Sequence, residues 1–283
     1  MARGYSFLAK PCPPGFTPSR FIVHSFLSVG RLHLPVFGLF AAAGLMAAMV
    51  LSQRTARWAR VDAGALWDAG MGAVFSAFLL SRALLVAENF RTSLTHPLLV
   101  LELPSLTAAG VILTAIATAV YLRRRRLPLL RVLDAAAPCA ALLSVFLEMG
   151  RMADGRREGM PTTARWAIAS RFGQVHPVEI YSTIAWLALC AALLGLLRLA
   201  RRAGGTGAWG LLLGGLLLFV TDFFRLPSEL YGTSWFDRVQ WFALILVTSG
   251  GLMLAFGPAA RGRAGRRSGN AAALAGKDIG DAL

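Results

Sequence analysis

Residues 147–161 read LEMGRMADGRREGMP and crowd Glu148, Arg151, Asp154, Arg156, Arg157 and Glu158 between two strongly apolar stretches. Further along, His176 opens the stretch HPVEIYS, and Asp222 and Arg225 bracket the aromatic pair in DFFR. Arginine suits a phosphodiester because its planar fork offers two parallel hydrogen bonds. Carboxylates among such arginines orient them and can handle protons. Arg151, Asp154, Glu158, His176, Asp222 and Arg225 therefore form a constellation fit to recognise, or do chemistry on, an anionic phospholipid. The plainer alternative is that such residues snorkel into headgroups or pair between helices. That alternative covers Asp68, Asp134 and the run Arg123–Arg126. Asp134 falls near a helix start, where a carboxylate suits the positive end of the dipole.

An ionisable group near a bilayer centre costs about 2.5–3.5 kcal/mol on insertion scales, so each one asks for a partner or a task. Asp68, Arg82, Glu102, Asp134 and Glu148 all fall within apolar runs. His176 alone is a weak signal, since a histidine at a helix start is usually structural. Pro177 beside it is at home in a first helical turn and shares a helical face with Tyr181. His24, His33 and His96 are too dispersed for a metal site. The chain has no GxSxG elbow, phosphate-binding GxxxxGK loop, CxxC pair or HExxH.

The elements that must position these groups are apolar helices. The 283 residues are 56% apolar and 15% charged, with a mean hydropathy of +0.60. A soluble domain carries about 25% charge. The formal charge of +15 is almost wholly arginine, with Lys10 and Lys277 the only lysines. These arginines punctuate apolar runs instead of forming one stripe, which argues against nucleic acid as a partner. Cys12, Cys139 and Cys190 are odd in number and scattered, so they suggest neither a disulfide framework nor a metal cluster. No compact apolar segment precedes Cys12, so a signal peptide or lipidation site there is not expected.

A spanning helix needs about 20 apolar residues. Candidates fall at 34–52, 64–87, 98–121, 132–150, 177–199, 207–222 and 237–256. The third carries Glu102 and Pro104 and is expected to begin kinked or re-entrant. The fold class is therefore an all-α polytopic integral membrane protein with about seven transmembrane helices. Residues 1–30 form an N-terminal peripheral segment, 31–257 the transmembrane domain and 258–283 a disordered basic tail. Arginines at 54, 57 and 60, at 123–126 and 131, at 198, 201 and 202, and in the tail fall on one side of these spans. Under the positive-inside rule the N-terminus is outside and the C-terminus cytoplasmic. Arg151, Arg156, Arg157, Arg165 and Arg171 fall on the opposite side, where topology does not account for them.

The order of these pieces resembles the prolipoprotein diacylglyceryl transferase family of the bacterial inner membrane. Over residues 33–256, Phe37-Gly38 stands at the family's Tyr-Gly pair, Arg82 at its Gly-Ala-Arg motif, and Asp134 to Pro138 at its Asp-x-x-Ala-Pro. Gly150-Arg151, Asp154 and Gly159-Met160-Pro161-Thr162 are similar to a contracted form of its Gly-Arg-x-x-Asn, Gly-Glu and Gly-Arg-Pro-Thr signature. Glu158 stands near the signature glutamate. His176-Pro177 to Tyr181 resembles its HPxQxYE, Asp222 to Pro227 its Glu-Phe-Phe-Arg-x-Pro, and Gln240 the glutamine of its last span. The chain departs from the family at Thr107, Ala108 and Ala109, where the family carries a third-span histidine. It departs again at Phe37, for the tyrosine, and at Leu218, for an arginine.

The resemblance implies transfer of a diacylglyceryl group from phosphatidylglycerol to the lipobox cysteine of a prolipoprotein signal peptide, with no cofactor. Arg151, Arg225 and Arg82 would bind the phospholipid. Asp154, Glu158 and Asp222 would orient them, with a carboxylate or His176 taking the thiol proton. Gly150, Gly159, Pro177, Tyr181 and Gln240 would be structural. The lost histidine, tyrosine and arginine motivate an alternative, a non-catalytic relative that binds anionic phospholipid or a membrane partner.

Overall fold

In a bilayer every backbone polar group must be satisfied within the protein, which favours helices for the apolar runs. The computed structural model describes residues 26–29, 32–88, 108–154, 159–170, 173–199, 203–225 and 238–257. It contains helices α1 (Val36–Ala59), α2 (Ala63–Glu88), α3 (Ala108–Arg124), α4 (Leu129–Ala153), α5 (Val178–Leu199), α6 (Gly205–Asp222) and α7 (Arg238–Phe256). Six of these, all but α3, are long and apolar enough to cross a membrane. The first residues of the expected third span, with Glu102, Pro104 and Thr107, lie outside the described residues, as do Glu158 and the basic tail.

Two short antiparallel hairpins complete the described elements. One pairs β1 (Phe26–Val29) with β2 (Leu32–Pro35), and the other pairs β3 (Ile168–Ser170) with β4 (Gly173–Val175). The first leads directly into α1. The second lies between α4 and α5, beside the polar residues of interest.

Close helix packing rests on small residues, as expected where lipid supplies no hydrophobic drive between helices. Helices α1 and α4 run antiparallel: Gly44 lies against Phe146 and Leu143, and Gly150 against Phe37 and Phe40. Between them Thr55 Oγ1 and Cys139 Sγ are 3.6 Å apart. Helices α4 and α6 run parallel, with Gly207 on Leu133 and Gly210 on Ala137. Helix α7 returns against α6, where Gly215 meets the Ala243 carbonyl and Gly250 meets the backbone of Ala208 and Leu212. Large apolar side chains such as Phe75, Phe78, Leu79 and Ile245 are exposed, as a hydrocarbon-facing surface requires.

These directions sort the helix ends into two sets. One end carries the turns after α1 and α3, with Arg57, Arg60 and Arg123 to Arg126 exposed there. It also carries a cation–π contact, with the Arg198 guanidinium 4.5 Å from the Trp58 ring centre. The opposite end carries the segment between α4 and α5 and the turn after α6. Asp134 differs from expectation. It lies more than a turn inside α4, buried, and its carboxylate caps a different helix. Gly204 N–H donates to Oδ2 at 2.6 Å and Gly207 N–H to Oδ1 at 2.7 Å, so Asp134 holds the start of α6 against α4.

Candidate active site

The last turns of α4 carry Glu148 and Arg151 three positions apart, which puts both on one helix face. Arg151 Nη1 donates to Glu148 Oε1 at 2.6 Å. The Glu148 side chain is 4% exposed and that of Arg151 is 40% exposed, so one ion is sunk in the protein and the other reaches its surface.

A second arginine arrives from α6, by a route that the backbone makes specific. Helix α6 ends at Asp222, and the chain turns through Phe223 and Phe224, with Arg225 N–H donating to the Asp222 carbonyl at 3.0 Å. Arg225 then forms an antiparallel bridge to Gly159, with Met160 N–H donating to the Phe224 carbonyl at 2.9 Å. On its other side the 159–162 segment pairs toward β4. His176 N–H donates to the Met160 carbonyl at 3.0 Å, and Thr162 N–H to the Gln174 carbonyl at 3.0 Å. Residues 159–162 thus form a central strand between the end of α6 and the lead into α5. Gly159 is required there, because a Cβ would overlap the His176 carbonyl.

With its backbone held this way, Arg225 turns its guanidinium onto Glu148. Its Nη2 donates to Oε2 at 2.9 Å and to Oε1 at 3.0 Å. One buried carboxylate therefore joins two arginines, one in the last turn of α4 and one just past the end of α6. Arg225 Nε is buried with no partner among the described residues. An orphaned donor of this kind costs about 1–3 kcal/mol or more, which makes it a natural position for a ligand oxygen.

His176 sits immediately beside this pair. Its ring centre is 5.8 Å from that of Phe224, edge to face, and 6.3 Å from that of Tyr181. Its Nδ1 is buried with no partner among the described residues. Tyr181 is fixed in turn by Trp166, whose Nε1–H donates to the tyrosine oxygen at 2.6 Å. Pro177 leads into α5, and its carbonyl accepts the N–H groups of Ile180 and Tyr181.

Of the residues singled out from sequence, Arg151, Arg225, His176, Gly159, Pro177 and Tyr181 converge here. Asp154 caps the end of α4, its N–H donating to the Gly150 carbonyl at 2.9 Å, and Asp222 closes α6. Gln240 lies in the first turn of α7, half-buried. Arg82 lies on α2, whose main neighbours are α1 and α3, with its guanidinium 5.4 Å from the Phe78 ring centre. Glu148 is the residue that sequence reasoning left out of the site. Its signal was present, as a carboxylate in an apolar run three residues before Arg151. Among the described residues no group of three or more His, Cys, Asp or Glu side chains could hold a metal ion.

A bundle of apolar helices with paired arginines gathered onto a buried carboxylate at one end defines the class, an all-α multi-pass membrane protein with a cationic polar site. Residues 24–256 match the family model of prolipoprotein diacylglyceryl transferase, and the chain belongs to that family. It is similar to a phosphatidylglycerol–prolipoprotein diacylglyceryl transferase of Synechococcus elongatus, 25% identical over 187 residues. That match covers 62% of this chain and 65% of the relative's length.

Proposed function

We propose that the protein transfers the diacylglyceryl group of phosphatidylglycerol to the lipobox cysteine of a prolipoprotein signal peptide. The observation that carries this reading is the pair Arg151 and Arg225, drawn together by Glu148 in a chain of this family. The cysteine sulfur attacks the glyceryl carbon that bears the phosphate ester oxygen. A carbon–sulfur bond forms, the carbon–oxygen bond breaks, and glycerol phosphate leaves with the bonding electrons. Charge on the phosphate grows as that bond breaks, so two fixed guanidiniums hold the departing group more strongly than the bound lipid. Such differential binding accelerates the step.

His176 supplies the acceptor for the thiol proton in this reading. Its Nδ1, buried with no partner among the described residues, supports that role, in a chain with no histidine at the family's third-span position. Asp154, Glu158 and Asp222 complete the polar surroundings, and Arg82 contributes from α2. The polar end of the bundle faces the outside of the bacterial inner membrane, with the arginine-rich end in the cytoplasm.

The test uses purified protein, phosphatidylglycerol vesicles and a lipobox peptide. Wild type is expected to add a diacylglyceryl mass to the peptide, and Arg151→Ala to lose most of that activity. His176→Gln is expected to lower kcat by about 10²–10⁴, as loss of a general base does, with little change in KM for the lipid. Equal and negligible product from wild type and Arg151→Ala would instead support a non-catalytic, lipid-binding relative.

A further inference from the structure

Among the described residues, Glu148 is the one carboxylate shown to bond both arginines, yet none of the motifs that tie the chain to its family contains it. A carboxylate buried in an apolar helix is costly unless paired and hydrogen-bonded. Here the pairing is complete: Oε1 accepts from both arginines and Oε2 from Arg225. With both oxygens occupied, Glu148 is badly placed to take a proton from a substrate thiol. Its geometry serves a different purpose. Two guanidiniums repel one another, and Arg151, at 40% exposed, is free to swing toward solvent without a common anchor.

We infer that Glu148 is a positioning residue, which holds Arg151 and Arg225 as a paired receptor for the phosphate of an anionic lipid. The inference rests on the transferase reading for its ligand. A guanidinium has five N–H donors in a fixed fork. Glu148 engages Nη1 of Arg151 and Nη2 of Arg225, which leaves the other edges of both forks for phosphate oxygens. The buried Nε of Arg225 is one such donor. The bridge between Gly159 and Arg225 fixes the arginine's backbone, and Glu148 fixes its head.

The experiment compares full-length wild type, Glu148→Gln and Glu148→Asp. Gln keeps the shape and removes the charge, while Asp keeps the charge and retracts it by one methylene, so a folding failure of one variant leaves the other informative. Two readouts are taken: KM and kcat for phosphatidylglycerol in peptide lipidation, and phosphatidylglycerol retained against phosphatidylcholine in native mass spectra. Glu148→Gln is expected to lower kcat/KM for phosphatidylglycerol about tenfold or more, as loss of a buried charge partner does, with KM raised and kcat lowered. Selective retention of phosphatidylglycerol falls in parallel, and Glu148→Asp lies between. In an Arg151→Gln/Arg225→Gln background, Glu148→Gln has no further effect.

A kcat/KM for phosphatidylglycerol equal to wild type, or lipid retention equal to wild type in either variant, overturns the positioning role. Should wild type bind phosphatidylglycerol in a Glu148-dependent way and transfer nothing, the inference stands and the transferase reading falls.

Discussion

Gly159 shows how much of the site depends on one missing methyl group. Its Cα faces the His176 carbonyl too closely for any side chain, and the same residue bridges Arg225. Gly159→Ala is therefore expected to cost about 3 kcal/mol, the upper range for overpacking, read as a lowered thermal midpoint in detergent. Gly251→Ala is the control, since open space surrounds that position, and it should stay within about 0.5 kcal/mol. Equal midpoints for the two variants would contradict the strand pairing. At this scale the sequence was informative about residue type. Arg151 and Arg225 stood out because topology did not account for the one and the other followed Asp222-Phe-Phe. What stayed hidden was the pairing of Glu148 with an arginine 77 positions away, because a helix-to-helix contact leaves no local pattern.

Helix α6 is anchored at both ends to α4. Asp134 caps its start, and Glu148 takes the arginine that follows its end, roughly 20 Å further along α4. Gly207 and Gly210 let the two helices approach closely in between. Asp134→Ala leaves the N–H groups of Gly204 and Gly207 without their acceptor and should destabilise the protein by about 2 kcal/mol or more. Asp134→Asn keeps one acceptor oxygen and is expected to lose less in the same thermal unfolding series. Identical midpoints for both variants and wild type would show that the cap does not hold α6.

Span positions were readable from apolar runs, with expected 177–199 against Val178–Leu199 and 237–256 against Arg238–Phe256. The end of α1 was not. It continues to Ala59, past the expected 52, because Arg54 and Arg57 are exposed where the helix leaves the apolar region. Hydropathy stops at the bilayer edge, whereas backbone hydrogen bonding does not. The β3–β4 hairpin is not legible in the sequence either, since three-residue strands carry no usable alternation.

For the whole molecule the decisive feature is the separation of a basic end from a mixed-charge end. Arginine on the cytoplasmic side sets orientation, so Arg124 is expected inside and Thr163, near the site, outside. In a background without native cysteines, Thr163→Cys should react with a membrane-impermeant maleimide in intact cells. Arg124→Cys should react only after lysis. The reverse pattern would invert the proposed topology and place the site on the wrong side for a secreted precursor.

In the proposed reaction, arginines held at one end of this bundle grip phosphatidylglycerol for transfer to a cysteine. The most direct measurement is the mass of a lipobox peptide after incubation with phosphatidylglycerol and either wild type or Arg225→Gln. Wild type should yield the diacylglyceryl adduct, and Arg225→Gln should reduce its rate by about 10²-fold, as expected for loss of a buried charged partner of the transition state. An adduct formed at the same rate by both proteins, or by neither, would rule out Arg225-dependent transfer.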